Sequence, residues 1–286
     1  MNIARLMKTP TGRLFIKMGE DNAFNWAVIL AWNFLQSLFP IALVMAGVLG
    51  VGLGYIGVSS HQVFGTVASI IPDPSAQEQV LMTLNTFHQK SGIFLLVGFA
   101  GLLWTGAGLF RSMEQGFAVI YHTRRRVLAR GVLMSVGMVF LLTVFGGVML
   151  ATTALLGVLN QLPYLPTVLA NGVIDLALQV VLGTGAGFLF FLAIYYVVPN
   201  QRQDWGKVWI GAALAGVLFE GLSLVFPLYL RLTGGGSTYG KTFGLLFLLM
   251  VYFYSLGIVT MVGVEVNSFL HRDTDQRPAR APGDEQ

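Results

Sequence analysis

A single carboxylate stands in the middle of a long apolar stretch of this sequence. Glu220 lies twelve residues after Val208, inside an apolar run that ends at Leu230. If that run crosses a membrane, a carboxylate at its centre costs about 2.5–3.5 kcal/mol on insertion scales, and such residues mark functional sites by default. Glu220 must therefore carry a proton, meet a partner on another helix or face a watery cavity.

The helical face that carries Glu220 holds other small and polar residues. They recur at steps of three and four, the spacing of one helical face. They are Trp209, Ala213, Gly216, Ser223, Pro227 and Arg231. Pro227 predicts a helix kink and frees the carbonyl of Ser223, one turn from the carboxylate. Arg231 is too distant to pair with Glu220, at about 16 Å for eleven residues of 1.5 Å rise.

Two other apolar runs carry polar residues along one face. The face on the first run comprises Asn22, Asn25, Asn33, Gln36, Ser37 and Pro40, where Pro40 predicts a second kink. The face on the fourth run comprises Gly172, Asp175, Gln179, Gly183 and Ala186. Such faces first of all serve helix packing, which is our interpretation of the fourth run. For the first and fifth runs a hydrated path is favoured. We predict a polar translocation seam of Asn33, Gln36, Ser37, Asp175, Gln179, Glu220 and Ser223.

The amino-acid composition indicates that these apolar runs lie in a membrane. Of the 286 residues, 55% are hydrophobic and only 10% are charged, whereas an average soluble domain has roughly 25% charged residues. Thirty charged side chains cannot cover a soluble protein of this size. The sequence contains no cysteine, so it excludes disulfides and thiolate metal sites. The four histidines have no metal-ligand spacing, and we predict no metal, no cofactor and no catalytic residue.

The apolar runs are long and do not alternate, which predicts spanning helices rather than barrel strands. We predict an all-α polytopic membrane protein with six spans. Their approximate limits are Ala27–Gly52, Ile93–Phe110, Val132–Val158, Val173–Val198, Val208–Leu230 and Phe243–Val266. Short amphipathic helices are expected at both surfaces, one within residues 1–19 and one following Pro74. Residues 1–270 are expected to form one transmembrane domain, and residues 271–286 a disordered cytoplasmic tail.

The basic residues predict the orientation of the spans. With both termini in the cytoplasm, fourteen of the seventeen lysines and arginines fall in cytoplasmic segments, as the positive-inside rule requires. The densest group is Arg124, Arg125, Arg126 and Arg130, for which we predict contact with anionic lipids. No soluble basic surface with interleaved aromatics is present, so nucleic acid is not an expected partner. Glu265, near the inner end of the sixth span, is expected to have a structural role, either reaching the interface or pairing with inner arginines.

Several segments resemble the YihY/BrkB family of bacterial inner-membrane proteins. They are Ala31-Trp32-Asn33-Phe34-Leu35-Gln36-Ser37-Leu38-Phe39-Pro40, Tyr195-Tyr196, Pro199-Asn200, Gly211-Ala212, Phe219-Glu220, Tyr239-Gly240 and Gly263-Val264-Glu265-Val266-Asn267. The resemblance covers nearly the whole chain and implies a six-helix inner-membrane protein. It also assigns the family's shared carboxylates to Glu220 and Glu265. The family was once labelled a tRNA-processing ribonuclease, a label that this sequence does not support.

Two hypotheses of different classes follow for the function. The first is a transporter or translocation factor that moves a hydrophobic or amphipathic solute, with lipid as one candidate, through the polar seam. The second is a non-transporting scaffold that anchors envelope-assembly partners through its outer amphipathic helix and inner basic loop. Expected partners are membrane lipids, with envelope proteins or further copies of the chain as alternatives. Water access to Gln36 and Ser223 would separate the two hypotheses.

Overall fold

The computed structural model describes residues 9–56, 90–124, 126–127, 129–143, 172–201, 203–232 and 241–275. Within these ranges every regular element is an α-helix, which confirms the predicted all-α class. In chain order the helices are α1 Pro10–Glu20, α2 Ala23–Ile56, α3 Ser91–Ile120, α4 Ala129–Thr143, α5 Gly172–Val197, α6 Trp205–Leu232 and α7 Lys241–Asp275.

Five of these helices contain a stretch long and apolar enough to cross a membrane. The stretches are Ala23–Val44, Ser91–Ile120, Val180–Val197, Trp205–Tyr229 and Leu246–Leu270. They correspond to the first, second, fourth, fifth and sixth predicted spans. The third predicted span begins in α4, and its remainder lies outside the described residues, as does the predicted outer helix after Pro74. The last helix continues to Asp275, five residues beyond the predicted end of the transmembrane domain.

The start and end of α1 follow from local chemistry. The Thr9 hydroxyl accepts a hydrogen bond from the backbone N–H of Gly12, and Pro10 occupies the first turn, where no N–H is needed. The helix ends before Asn22, whose φ of 56° is left-handed, a conformation that asparagine tolerates better than most residues. Asn22 therefore lies in the turn between α1 and α2, and the prediction that it belongs to the polar face of the first span is wrong.

The residues form two compact units. The first comprises Met1–Trp32 and Leu109–Gln286, and the second comprises Asn33–Gly108. In the second unit α2 and α3 approach so closely that glycine is required. A Cβ on Gly98 would lie 2.7 Å from the backbone nitrogen of Val44, and a Cβ on Gly101 would lie 3.0 Å from Pro40. Close backbone approach at small residues is the usual basis of helix association in a membrane.

An aromatic cluster lies in the core of the first unit. The Tyr195 ring packs between Phe117 and Phe191 at centroid distances of 5.9 Å and 5.7 Å, so it joins α5 to α3. Helices α5 and α6 meet backbone to backbone, because a Cβ on Gly216 would lie 2.7 Å from the nitrogen of Phe188. Both predicted kink residues, Pro40 and Pro227, lie inside continuous helices, and the kinks themselves stay a prediction.

Several hydroxyl groups in the described helices are satisfied by their own helix. Six serines and threonines donate a hydrogen bond of 2.8–3.0 Å to the carbonyl four residues earlier. They are Ser37, Thr105, Ser135, Thr143, Ser255 and Thr260. These side chains therefore add little polarity to the helix surface, and the amides and carboxylates remain the chemically distinctive groups.

Candidate functional site

Glu220 lies at the middle of α6 and is buried, with 8% of its surface exposed. Its carboxylate rests on α5 at Gly183, where a Cβ would overlap it. Fifteen residues separate it from Trp205 at the start of the helix, a rise of about 22 Å. Among the described residues it has neither a hydrogen-bond donor nor a cationic partner. The described part of the fold therefore buries this carboxylate within the first unit without giving it a hydrogen-bond donor or a counter-ion.

The other predicted seam residues of the first unit surround this site only in part. Ser223 is half-buried on α6, one turn beyond Glu220. Pro227 is exposed. Asp175 and Gln179 belong to the first turns of α5, but their side chains lie outside the described set. The contact between α5 and α6 at Glu220 is thus made by Gly183, a residue that the sequence placed on the same face as Gln179.

The three seam residues predicted on α2 belong to the second unit. A Cβ on Gly108 would lie 3.2 Å from Asn33 Oδ1, so Asn33 faces α3. Ser37 is buried and donates its hydrogen bond to the Asn33 carbonyl at 2.9 Å. Gln36 is exposed. The predicted seam between the first and fifth spans stays a prediction.

A second buried charged site joins α1 to α7. The Lys17 ammonium contacts the carboxylate of Asp21 at 2.7 Å and also the carboxylate of Glu265. All three are buried, Lys17 at 8%, Asp21 at 6% and Glu265 at 0% exposure. The expected arginine partner of Glu265 is therefore a lysine, and it comes from the N-terminal amphipathic helix. Arg13 adds a second contact, because its guanidinium lies 5.5 Å from the centre of the Phe269 ring.

Residues adjoining Glu265 lock α7 against its neighbours. Asn267 Oδ1 accepts a hydrogen bond of 2.8 Å from the backbone N–H of Gly211 on α6. A side chain at Gly211 would overlap both Asn267 and the carbonyl of Gly263. The Tyr195 hydroxyl donates a 2.9 Å hydrogen bond to the Thr260 carbonyl, and its ring lies over Gly263. Several of the residues that carried the family resemblance thus meet at this end of the first unit.

Arg126 forms the third charged contact of the same unit. Its guanidinium donates hydrogen bonds to the carbonyls of Val197, Val198 and Pro199, where α5 ends. Glu114 accepts from the Arg126 backbone N–H at 2.8 Å and lies 3.6 Å from the guanidinium. Arg126 thus satisfies the free carbonyls of a helix end. Of the other arginines predicted to contact lipid, Arg124 and Arg130 are exposed, and Arg125 lies outside the described residues.

Tyr121 lies just beyond the end of α3, near the Lys17–Glu265 pair. Burial raises the pKa of its phenol well above the ordinary value, the neighbouring Gln203 side chain lowers it, and the negative charge of Glu265 raises it further. Close by, the Ser268 hydroxyl of α7 donates a 3.0 Å hydrogen bond to the carbonyl of Ile120. The ends of α3, α6 and α7 are therefore held together with α1, at one end of the first unit.

Sequence reasoning missed two partners, and each had a signal. Glu114 is the one acidic residue of α3, so its burial would require a basic partner. Lys17 and Asp21 are spaced four residues apart, which made them a visible pair on α1, but nothing local linked them to Glu265, 248 residues away. Within the described ranges, no three His, Asp or Glu side chains come together as metal ligands.

The helices, the apolar spans and the buried charged contacts define a multi-pass α-helical membrane protein. The comparison with known families gives the same class. A family model described as "Virulence factor BrkB" matches residues 14–286. The chain belongs to this BrkB family, which confirms the resemblance found in the sequence.

Relatives of the chain are distant but cover most of its length. A protein of Bacillus subtilis named ribonuclease-like protein YfkH is 26% identical, over 85% of this chain and 88% of its own length. A UPF0761 membrane protein of Vibrio vulnificus is 23% identical, over 93% and 83%. A UPF0761 membrane protein of Vibrio cholerae is 24% identical, over 90% and 85%. No solved structure matches the chain.

Proposed function

We propose that this BrkB-family protein moves a hydrophobic or amphipathic solute across the bacterial inner membrane, and that the solute is a lipid. The observation that carries the proposal is Glu220, which is buried at the centre of α6 and has no hydrogen-bond or ion-pair partner among the described residues. A carboxylate without compensation in a membrane span is expensive. A carboxylate at this position is useful if it binds a polar group of a solute that passes between the helices.

The packing of α5 against α6 supports this proposal. The two backbones touch at Gly187 and Gly216, where a Cβ on Gly187 would lie 3.2 Å from the Cα of Gly216. Glu220 lies one turn further along α6, where α5 presents the bare backbone of Gly183 to the carboxylate. A lipid headgroup presents cations and hydrogen-bond donors, which are the groups that a lone carboxylate binds.

The orientation of the protein is part of the same proposal. Lys17, Arg126 and the exposed Arg124 and Arg130 belong to segments that the positive-inside rule assigns to the cytoplasm. Both termini then face the cytoplasm. Arg124 and Arg130 would contact the anionic lipids of the inner leaflet. Arg126 is a weaker candidate for that role because its guanidinium already binds the end of α5.

The test is lipid transfer in reconstituted vesicles. Vesicles of phosphatidylethanolamine and phosphatidylglycerol carry a fluorescent phosphatidylethanolamine, and chemical bleaching of the outer leaflet measures the transfer rate. We expect the wild-type protein to accelerate transfer over protein-free vesicles, and Glu220→Gln to lower the rate about tenfold, since the amide keeps the shape but loses the charge. Glu20→Gln, which removes an exposed carboxylate, serves as the control and should transfer like the wild type.

A second pair of variants tests the position of the site. Gly183→Ala places a methyl group where the Glu220 carboxylate lies, whereas Gly185→Ala, on the same helix, meets nothing within 4 Å. We expect the first to impair transfer and the second to leave it unchanged. The proposal would be refuted if vesicles containing the wild-type protein transferred lipid no faster than protein-free vesicles. This outcome would have to hold for fluorescent phosphatidylethanolamine and for fluorescent phosphatidylglycerol. It would then favour the scaffold hypothesis, whose outer helix lies outside the described residues.

A further inference from the structure

We propose that α1 is a cytoplasmic gate for the transfer site at Glu220, closed by the bond between Lys17 and Glu265. This inference rests on the proposed function, since it assigns a closing device to the same path. The gate lies on the cytoplasmic side in the proposed orientation. Gly211, which bonds to Asn267 near the gate, precedes Glu220 by nine residues of α6, or about 14 Å along the helix.

The charge arrangement suits a contact that opens. Lys17 binds at once Asp21, the residue that follows α1, and Glu265 of α7. If α1 leaves α7, Lys17 keeps Asp21 as its counter-ion, so the lysine is never left uncompensated. Glu265, which is fully buried when α1 is docked, gains water when α1 departs. A buried ion pair adds little stability over an apolar contact of the same shape. Stability alone therefore does not explain the Lys17–Glu265 pair, whereas a contact that opens and closes does.

The shape of α1 also fits a moving element. It has eleven residues, and an isolated helix of that length is marginal in water. Its buried residues include Met18 as well as Lys17, whereas Phe15 is 65% exposed. It is joined to α2 through Asn22, whose left-handed φ of 56° turns the chain sharply. Docking on α7 therefore supplies the contacts that hold α1 in place, and the turn at Asn22 marks the hinge.

Cysteine labelling tests the gate without any transport assay. Because the sequence has no cysteine, Met18→Cys introduces a single thiol that is buried while α1 is docked. In inverted membrane vesicles, adding Lys17→Gln should raise the rate of maleimide labelling at this thiol about tenfold, since the docked fraction falls. Phe15→Cys, exposed in the docked state, should label rapidly with or without Lys17→Gln. Equal labelling of Met18→Cys in both backgrounds would overturn the gate.

Cross-linking then tests whether the gate controls transfer. The double variant Arg13→Cys and Phe269→Cys, bridged by a reducible bifunctional thiol reagent, fixes α1 on α7. Transfer should fall about tenfold on bridging and recover on reduction, whereas a monofunctional reagent of the same chemistry should have no effect. Unchanged transfer by the fully bridged protein would refute the gate while leaving the proposed function intact. The gate is equally refuted if Glu220→Gln lowers transfer and bridging does not.

Discussion

Two of the buried carboxylates of the first unit, Glu220 and Glu265, lie on the neighbouring helices α6 and α7 and have opposite surroundings. Glu265 on α7 is fully buried and pairs with Lys17. Glu220 on α6 is buried at 8% exposure, yet among the described residues it has no hydrogen bond or ion pair, and its carboxylate lies against Gly183 of α5. Glu265 is therefore compensated within the fold by its contact with α1, whereas under the proposed function the partner of Glu220 is a polar group of the transported solute.

The largest effect is expected from removing the cation that compensates Glu265. Lys17→Met leaves two buried carboxylates without their counter-ion, which should lower the free energy of unfolding by about 3–5 kcal/mol. Thermal unfolding in detergent measures this loss. Glu220→Gln removes a carboxylate with no partner among the described residues, so its melting temperature should be equal to or above that of the wild type. If both variants lose stability equally, the contrast between the two carboxylates is wrong.

A smaller loss is expected where α6 and α7 touch. Gly211→Ala forces a methyl group onto Asn267 and the Gly263 carbonyl, and overpacking of this kind costs about 3 kcal/mol. Gly221→Ala is the matched control on the same helix, because a methyl group there meets nothing within 4 Å. Thermal unfolding of the two variants side by side should show a lower melting temperature for the first alone. Equal melting temperatures would show that α6 and α7 separate at no cost.

Arg126→Lys keeps the charge at the end of α5 but loses the planar fork that reaches three carbonyls. We expect a loss of about 2 kcal/mol, since a lysine cannot reproduce that set of hydrogen bonds. Arg124→Lys, at an exposed arginine of the same loop, should change the stability very little. Chemical denaturation of both variants gives the comparison. A stable Arg126→Lys protein would reduce the role of Arg126 to its charge alone.

The smallest effect concerns a single hydrogen bond. Tyr195→Phe removes the hydroxyl that donates to the Thr260 carbonyl, which should lower stability by about 1 kcal/mol. Tyr196→Phe removes a hydroxyl from the adjacent exposed ring and should leave the melting temperature unchanged. The difference in melting temperature between these two variants measures how firmly α7, and with it Glu265, is held in place.

Much of the fold follows from the sequence because hydrocarbon leaves the backbone few choices. Runs of apolar residues predicted the helices, and the interruption after Glu20 coincides with the turn at Asn22. The lone carboxylate at Glu220 could be found because polarity inside an apolar run is visible without any partner. The family motifs likewise pointed to Tyr195, Gly211 and Asn267 before their contacts were seen.

The partners of the charged residues could not be predicted in the same way. Hydropathy and charge bias fix which side of a membrane a residue faces, but many lysines and arginines share one side. Choosing Lys17 for Glu265, or Arg126 for the end of α5, depends on how the helices pack. The polar face of the first span was overestimated for a related reason. Ser37 bonds to its own backbone, so the face is less polar than its residue types suggest.

The separation between Lys17 and Glu265 also sets an order of events during biosynthesis. The two residues are 248 positions apart, so α1 leaves the ribosome long before its partner on α7 exists. At roughly 5–20 residues per second, that interval is about 10–50 s. The apolar spans can enter the bilayer one by one in that time. Docking of α1 on α7 therefore has to wait until α7 has been synthesised, and it must be among the last contacts to form.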